Sequence, residues 1–269
     1  LMVNKTDLFK MHKDLGLQLY TVRNEIKDLK NTLQQISAAG YTNLELYGYD
    51  NRMFFGNTIT QFAAMLKQHN LKTVSGHYGL ADMLHAPDYN WDTWKYLLED
   101  ATILGHKYVT IPYLDNKHRT GDDFKRIAER LQKGGELSKV AGIIPAYHNH
   151  DFEFEKDNGQ VLYDVLLDNT DPSLVHMELD LGWVVATGND PLIYFKNHPG
   201  RFELWHLKDM DLQKKQSTEF GKGGLQILQI LQHSKQSGMK YFYVEQEEYT
   251  HSALESMKEN MDYLAKLTL

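Results

Sequence analysis

The chain lacks cysteine altogether, although it is 269 residues long. This absence excludes disulfide bonds, cysteine-rich zinc sites and a thiol nucleophile. Positive charge is also scarce, because the formal net charge is −7 at pH 7 and no block of lysine and arginine stands out. Proteins that track a nucleic-acid backbone need a basic surface, so the charge balance argues against a nucleic-acid partner.

Long apolar runs are missing as well. No stretch approaches the ~20 apolar residues that cross a bilayer, so we expect no membrane span. At the N-terminus no basic segment precedes an apolar one, and residues 1–14 are expected to form a polar extension before the first strand. A removed signal peptide would leave no trace here, so the expected location is cytoplasmic or periplasmic.

Linkers are the third absence. The chain has 6 prolines, and no segment rich in proline, glycine or serine divides it. Its length suits one large α/β barrel as well as two smaller domains, and the missing linker favours a single domain over residues 1–269. Hydrophobic residues make up 42% and charged residues 24%, which is typical of a soluble globular enzyme. The oligomeric state is not fixed by these values, and a homo-oligomer is compatible with them.

Short runs of β-type residues alternate with segments of helical spacing along the whole chain. In the helical segments apolar residues recur at intervals of three and four, which indicates one buried face. The repeat is about 30 residues long, and eight such units fit a (β/α)8 TIM barrel. An open doubly wound sheet is the alternative, but no glycine-rich dinucleotide fingerprint follows the first strand. The predicted strands lie near 16–22, 42–48, 72–78, 107–114, 142–150, 175–183, 202–209 and 240–248.

Ionisable residues end the last four predicted strands, namely His148, Asp180, His206 and Glu245. In a TIM barrel the C-terminal strand ends meet at one mouth, where active sites lie, so these four side chains should converge. Each alone has an ordinary explanation as a surface histidine, a turn aspartate or a paired glutamate. Together they favour a metal site, because buried charges need partners. Two imidazoles and two carboxylates suit one Mn²⁺, Zn²⁺, Co²⁺ or Fe²⁺ ion, and Mg²⁺ less well.

Further polar and aromatic side chains fall on the same predicted strand faces. Because side chains alternate along a strand, His150 should point to the same side as His148, and Lys208 to the same side as His206. Lys208 could place its ammonium over a substrate oxygen or form a salt bridge with Asp or Glu. Aromatic residues of the set could stack on a sugar ring or pack in the core. The predicted substrate-binding residues are Gln18, Tyr20, Glu45, Tyr47, His77 and Trp183.

Weaker features lie outside this set. The GKGG segment at 221–224 could cradle a phosphate after the seventh strand, but a plain loop before a helix is the favoured interpretation. Glu153 could reach back to the site or cap the turn that follows the fifth strand. The histidines away from the predicted strand ends, His12, His69, His85 and His118, are expected to be solvated.

Five segments of the chain resemble the sugar phosphate isomerase/epimerase family of the xylose-isomerase-like barrels. They read GLQLYTVR, YHNHDFEF, ELDLGWVVATGNDP, WHLKDMD and YVEQEEY, and they span nearly the whole chain in the family's order. In that family residues of strands five to eight, commonly Glu, Asp, His and Glu, hold a divalent metal. The resemblance assigns the last three of these roles to Asp180, His206 and Glu245.

The strand-five position departs from the family pattern, because His148 stands where a glutamate is common. In the epimerases of the family, the carboxylates of strands five and eight act as paired acid/base groups. A histidine at this position disfavours that pairing. The resemblance then leaves His150 as the expected base, with Glu245 and Lys208 as the other expected catalytic residues.

The resemblance implies an enzyme that abstracts a proton next to a carbonyl of a small-molecule sugar or keto-sugar. An isomerase or epimerase is the first expectation. A lyase that eliminates water or an aglycone from a keto-sugar, like an inosose dehydratase or a 3-keto-glycoside-cleaving subunit, is the second. A non-catalytic sugar-binding barrel is the third. The endonuclease IV-like branch needs more metal ligands and a basic groove, which the net charge of −7 disfavours.

Overall fold

Eight parallel strands close into a barrel, which confirms the predicted (β/α)8 architecture. The computed structural model describes residues 14–267. Each strand pairs with its neighbours in sequence, and the eighth pairs with the first. The strands are β1 Leu15–Gln18, β2 Asn43–Leu46, β3 Lys72–His77, β4 Tyr108–Ile111, β5 Ile144–His148, β6 His176–Asp180, β7 Leu204–Leu207 and β8 Tyr241–Val244.

The observed strands end earlier than the predicted ones, and all except β1, which begins one residue earlier at Leu15, lie inside the predicted ranges. After Gln18 a 3-10 helix begins, Leu19–Asp28. Its first turn is stabilised by a hydrogen bond that Tyr20 N donates to Gln18 Oε1 (2.9 Å). β5 and β7 likewise end before His150 and Lys208, so these two side chains lie in loops. Strand alternation therefore does not place them, and their positions depend on the loops that follow.

Helices cover the outside of the barrel with their apolar stripes turned inward. The predicted stripe from Phe124 to Leu131 is buried. Thr58, Thr120 and Ser252 each begin a helix with a capping box, which satisfies backbone N–H groups of the first turn. Within residues 14–267, none of the helices has the length and apolarity to cross a bilayer.

The helices are α1 Leu29–Ala38, α2 Ile59–Gln68, α3 Ala81–His85, α4 Trp91–Leu104, α5 Gly121–Ser138, α6 Leu162–Asp168, α7 Leu181–Ala186, α8 Pro191–Asn197, α9 Ile227–Leu231, α10 Ser234–Ser237 and α11 Ala253–Lys266. Two further 3-10 turns span Lys139–Ala141 and Phe152–Phe154.

Small antiparallel ribbons follow three of the barrel strands and were not predicted from the sequence. They extend the C-terminal side of the barrel, where the loops after the strands form the mouth. The ribbon after β2 consists of Tyr49–Asp50, Met53–Phe54 and Asn57–Thr58, that after β5 of Lys156–Asp157 and Gln160–Val161, and that after β7 of Asp209–Asp211 and Gln216–Thr218.

The inward-facing residues change character along the barrel axis. Near the N-terminal strand ends, a small apolar cluster fills the interior and contains Ala146, Leu204 and Tyr243. Two residues further along the same strands, on the same face, stand His148, His206 and Glu245. The barrel therefore has an apolar and aromatic lower layer and an ionisable upper layer that opens to the mouth.

Residues 1–13 of the predicted N-terminal extension, His12 among them, lie outside the described residues. Asp14, the last residue of that segment, forms an ion pair with Lys72 at the start of β3 (2.5 Å).

Candidate metal centre and active site

Strand register brings the predicted metal ligands to one place. In the β6–β7 pairing Asp180 lies opposite His206, and in the β5–β6 pairing Glu178 lies opposite His148. The turn after β6 is held by Asp180 itself, since its Oδ1 accepts a hydrogen bond from Trp183 N (3.1 Å) at the start of α7. The sequence DLGW thus fixes the carboxylate at the strand end.

The four predicted ligands, His148, Asp180, His206 and Glu245, form what we call the upper cluster. His148 Nε2 lies 3.1 Å from Asp180 Oδ2. His206 Nδ1 lies 3.6 Å from Asp180 Oδ2 and 3.1 Å from Glu245 Oε2. All four side chains are buried. The structure therefore gathers the residues that the sequence selected, at donor–donor distances that a shared cation could span.

A second group lies directly below and shares His206; we call Glu45, His77, Glu178 and His206 the lower cluster. His206 Nε2 lies 2.6 Å from Glu45 Oε1 and 2.8 Å from Glu178 Oε1. His77 Nε2 bridges the same two carboxylates at 3.0 Å and 2.6 Å. By their spacing, the donors of the lower cluster could hold a metal, and so could His148, Asp180 and His206 of the upper cluster.

The lower cluster orients His206 for the upper one. A histidine that binds a metal usually donates its other ring N–H to a carboxylate, which fixes the tautomer. Here Glu45 and Glu178 stand at Nε2, so the proton belongs on that nitrogen and Nδ1 faces Asp180 and Glu245. His206 Nδ1 is buried and lies 3.6 Å from Asp180 Oδ2 and 3.1 Å from Glu245 Oε2. It is therefore the ring nitrogen that a cation in the upper cluster would meet.

Lys208 lies between the two upper carboxylates. Its Nζ is 2.9 Å from Asp180 Oδ2, 2.8 Å from Glu245 Oε1 and 3.7 Å from Glu247 Oε1. Of the two interpretations the sequence left open, the structure shows the salt bridge. The ammonium also lies 5.4 Å from the ring centroid of Trp183.

Charge and burial oppose each other at these groups. Burial would raise the pKa of Asp180, but Lys208 and hydrogen bonds from His148 and His206 hold that pKa well below its usual range. Burial and then the nearby carboxylate of Glu45 raise the pKa of Glu178. Glu45, the other carboxyl group at His206 Nε2, differs from Glu178, because His77 and His206 hold its pKa well below the usual range against the effect of burial. Glu178 therefore holds a proton more readily than Glu45.

His150 occupies a different environment from its neighbour His148. Its ring stacks on Phe152 with 6.1 Å between centroids, and Tyr113 meets it edge-on at 5.6 Å. Burial, then the charges of His148 and Lys208, lower the pKa of His150 to about 3. The ring is therefore neutral, and its buried Nδ1 has no hydrogen-bond partner within residues 14–267. The pKa of His150 thus lies below the ordinary value of an imidazole, ~6.5.

A cavity of about 470 Å³ opens over the upper cluster. Among the predicted substrate-binding residues, Tyr20, Tyr47 and His77 line it. Gln18 and Glu45 do not line it, because they are fully buried below and bond each other, Gln18 Nε2 donating to Glu45 Oε1 (2.8 Å). The cavity is also lined by Gly48, Tyr49, Gly79, Pro112, Tyr113, His148, His150, Glu245 and Glu247.

Several site residues were not singled out from the sequence. Tyr113 and Glu247 line the cavity, and both follow a barrel strand by a few residues, which is the signal that selected the other site residues. Glu178 shares the inward face of β6 with Asp180, but only the assembled barrel shows that it holds His206. Trp183, which was predicted to bind substrate, lies beside His150, with 6.3 Å between ring centroids, and does not line the cavity.

The weaker sequence features are resolved by hydrogen bonds. The GKGG segment binds a carboxylate of the chain itself, because Gly221 N and Gly223 N donate to Asp209 Oδ2 (2.9 and 3.0 Å). Glu153 accepts from His150 N (2.9 Å) and from Tyr147 OH (3.0 Å), so it caps the turn. The phosphate-cradle interpretation therefore has no support here.

The expectation of solvated histidines is wrong for His85, whose side chain is only 11% exposed and contacts His118 and Asp115. Packing of α3 against the loop after β4 buries it. His69 is half-buried and its Nδ1 lies 2.8 Å from Met65 O.

The donor set of the upper cluster fits a divalent metal. Two imidazole nitrogens and two carboxylates converge, and a first-row transition ion accepts that mixture. Carboxyl groups also outnumber fixed cations around the cavity floor, since Lys208 is the ammonium that contacts them among the described residues. The carboxyl groups in question are Glu45, Glu178, Asp180, Glu245 and Glu247.

Comparison with known proteins agrees with this geometry. An inosose dehydratase of Clostridium perfringens is 34% identical over 119 residues, which are 44% of this chain and 39% of that protein. The match thus spans less than half the length of this curated relative. A solved structure from Parabacteroides distasonis, described as a sugar phosphate isomerase/epimerase, is 28% identical with a TM-score of 0.82, covering 94% of this chain and 98% of that one.

A further solved structure, the IolI protein with a bound zinc atom, shares the fold at 16% identity and a TM-score of 0.74, covering 95% of this chain and 98% of that one. A sequence profile described as the xylose isomerase-like TIM barrel matches residues 33–267. With its closed eight-stranded barrel and the ionisable mouth, this chain belongs to the xylose isomerase-like TIM barrel family.

Proposed function

We propose that the protein is a divalent-metal-dependent isomerase or epimerase that abstracts a proton next to the carbonyl of a sugar or keto-sugar. The observation that carries the proposal is the upper cluster beside the neutral His150, at the floor of one cavity. Proton abstraction at such a carbon needs an electrophile near the carbonyl oxygen and a base near the carbon. At the mouth, a metal in the upper cluster would be the electrophile and His150 would be the base.

His148, Asp180, His206 and Glu245 would hold the metal, which when bound polarises a carbonyl oxygen as a Lewis acid. Mn²⁺, Zn²⁺, Co²⁺ and Fe²⁺ suit this mixed donor set, and Mg²⁺ suits it less because it prefers oxygen ligands. Lys208 acts as a positioning residue, since its ammonium holds the carboxylates of Asp180 and Glu245 and is fully buried among them.

His150 is the proposed base. Its ring lines the cavity beside His148, with 5.0 Å between the two ring centroids. The backbone hydrogen bond from His150 N to Glu153 and the stacking on Phe152 fix the ring in place. General-base catalysis requires a fixed base next to the reacting carbon with a pKa near the working pH, so substrate binding must raise the pKa of His150 from its value of about 3.

The cavity lining favours an uncharged substrate. Tyr20, Tyr47 and Tyr113 present aromatic surface that suits the C–H face of a sugar ring. None of the described residues that line the cavity is lysine or arginine, whereas Glu245 and Glu247 are acidic. A phosphate group would meet carboxylates here, so we propose an unphosphorylated sugar or keto-sugar.

A lyase is the second candidate, and the similarity to an inosose dehydratase favours it. Elimination begins with the same proton abstraction and then expels water or an aglycone from the neighbouring carbon. His148 in place of the common glutamate also removes the carboxylate pair that an epimerase of this family would use. Glu247, at the cavity wall, stands where it could protonate a leaving group.

Deuterium exchange tests the proposal. The metal-loaded protein is incubated in heavy water with unphosphorylated keto-sugars, an inosose and a 3-keto-glucoside, and with phosphorylated sugars for comparison. We expect deuterium at the carbon next to the carbonyl of an unphosphorylated compound, followed by a rearranged sugar for an isomerase or by loss of water or aglycone for a lyase. Binding without exchange in every case would contradict both and would indicate a sugar-binding barrel.

A further inference from the structure

A group of three metal-ligating side chains lies outside the cavity, on the rim of the mouth. His85 is the last residue of α3, and Asp115 and His118 lie in the loop between β4 and α5. His118 Nδ1 is 2.8 Å from Asp115 Oδ1, and His85 Nε2 is 3.7 Å from Asp115 Oδ2. One donor atom from each residue lies within 4.8 Å of the others.

The two imidazoles stack face to face, with 3.7 Å between their centroids and 7° between their planes. Histidine binds a metal through the lone pair of a neutral ring, and the stacked pair brings two such rings to the same carboxylate, Asp115.

His85 supplies an independent observation. Its Nε2 is buried and has no hydrogen-bond partner among residues 14–267, although it faces Asp115. A buried polar nitrogen without a partner is costly, and a bound cation would supply one. Asp115 is already fixed, because its Oδ1 accepts from Lys117 N (2.9 Å).

We propose that His85, Asp115 and His118 form a second binding site for a divalent transition metal, which we call the rim site. Two imidazoles and one carboxylate suit Zn²⁺, Co²⁺, Ni²⁺ or Cu²⁺ and do not suit Ca²⁺. Three protein ligands leave positions for water. The donors lie at the end of a helix and in one loop, so small side-chain rotations can bring each within the ~2.0–2.2 Å of a metal–ligand bond.

The rim site has a structural consequence for the cavity. The loop that carries Asp115 begins at Pro112, whose carbonyl oxygen lies 3.2 Å from His148 Nδ1, and Tyr113 lines the cavity. Arg119 braces the same loop by donating to Leu114 O (2.8 Å). A cation at the rim site ties α3 to this loop and thereby holds the cavity wall and the histidine of the upper cluster in position.

Metal stoichiometry tests the rim site. The full chain is loaded with excess Zn²⁺ or Co²⁺, dialysed and analysed by elemental analysis and, for Co²⁺, by absorption. We expect two ions per chain in the wild type and one in His118→Ala. The double variant Asp180→Asn/Glu245→Gln, which disables the upper cluster, should keep one ion. Titration of that double variant with and without His118→Ala separates the rim site from the lower cluster. The added change should weaken the affinity for the retained ion by more than ~100-fold, since even outer-shell changes cost ~10–100-fold.

The matched control is His251→Ala. His251 belongs to another His and carboxylate group, in which its Nε2 lies 2.9 Å from Glu259 Oε1 and 3.8 Å from Glu219 Oε1. The control should keep two ions. A second ion that is lost in His251→Ala and kept in His118→Ala would overturn the assignment, and so would a double variant that binds no ion.

Failure of the rim site and failure of the proposed function remain distinguishable. A wild type that binds one ion, lost in the double variant, would refute the rim site and leave the upper cluster intact. If His118→Ala fails to fold, Asp115→Asn replaces it, because that side chain is 40% exposed and is not part of the core. Retention of the second ion in Asp115→Asn with unchanged affinity would also refute the site.

Discussion

The two ends of the barrel interior handle buried charge in opposite ways. At the N-terminal end, Glu203 is matched by donors, because Tyr108 OH donates to it, Lys240 Nζ lies 3.0 Å away and His176 Nε2 lies 3.3 Å away. At the C-terminal end, five carboxyl groups crowd around Lys208 and a few histidines. The N-terminal end matches its one carboxylate with a lysine and other donors, whereas at the C-terminal end the carboxyl groups outnumber the lysine that contacts them among the described residues.

This contrast separates a structural role from a functional one. Buried carboxylates that lack enough partners cost free energy, so a mouth with an excess of them is stable only if something compensates the charge. A cation that binds to the upper cluster would do so, and the same cation would serve the chemistry. The fully paired Glu203 has no such need and is expected to contribute to stability alone.

The largest effect should come from the mouth. Glu245→Gln removes a proposed metal ligand, and we expect deuterium exchange to fall about 10³-fold, within the range for loss of an essential catalytic group. The melting temperature of the metal-free protein should change by less than ~4 °C, because Lys208 keeps its contact with Asp180. Exchange rates and thermal melts of both proteins measure this.

Glu136→Gln, a change on an exposed face of α5, is the control and should alter neither quantity. A large drop in melting temperature with little loss of exchange in Glu245→Gln would show that the mouth, like the other end of the barrel, is mainly structural.

The next effect distinguishes the roles of two neighbouring histidines at the mouth. His150→Ala should keep the metal yet lose about 10²–10⁴-fold in exchange rate, as general-base removal does. His148→Ala should instead weaken metal binding, because His148 Nε2 points at Asp180. Metal content by elemental analysis and exchange rates on the same samples distinguish the two. If the results are interchanged, the two histidines have exchanged roles.

At the lower end the expected effect is on stability. Glu203→Gln leaves Tyr108, His176 and Lys240 without their charged acceptor, and we expect a loss of about 2 kcal/mol in the free energy of unfolding. Exchange activity should not change. Urea unfolding and exchange assays check both. Lys240→Ala, whose side chain is 61% exposed, should cost less than about 1 kcal/mol. Lost activity in a stable Glu203→Gln protein would contradict the division.

The smallest effect concerns pH. Burial lowers the pKa of His106 to about 3, and its ring lies between Thr73 Oγ1 (2.8 Å) and Tyr78 OH (2.9 Å). In the unfolded chain the His106 ring takes up a proton below pH ~6.5, whereas in the folded protein it stays neutral down to about pH 3. The contribution of His106 to the free energy of unfolding is therefore complete above pH ~6.5 and is lost as the pH falls. When the pH is lowered from 7 to 5, the free energy of unfolding of His106→Gln should fall by about 2 kcal/mol less than that of the wild type.

Urea unfolding of both proteins at the two pH values measures that difference. Equal losses would show that protons taken up elsewhere, above all by the mouth carboxylates, dominate the acid response.

Much of the site followed from simple patterns along the chain. His148, Asp180, His206 and Glu245 each follow an apolar run, and parallel strands in a barrel bring such positions together. The failures are of another kind. Gln18 and Glu45 were expected to contact substrate, yet they bond each other below the cavity floor. Depth along the barrel axis depends on strand register, which periodicity does not reveal.

The sequence by itself determined the alternation of strands and helices, the closed barrel that this alternation implies, and the chemical types present at its mouth. Tertiary structure decided which of those groups touch: that Glu178 holds His206, that Lys208 bridges two carboxylates, and that His85 meets His118. The physical reason is the sequence separation over which each effect acts. Periodicity and capping act within a few residues, whereas electrostatics, burial and metal geometry act between residues that only the closed barrel brings within a few ångströms.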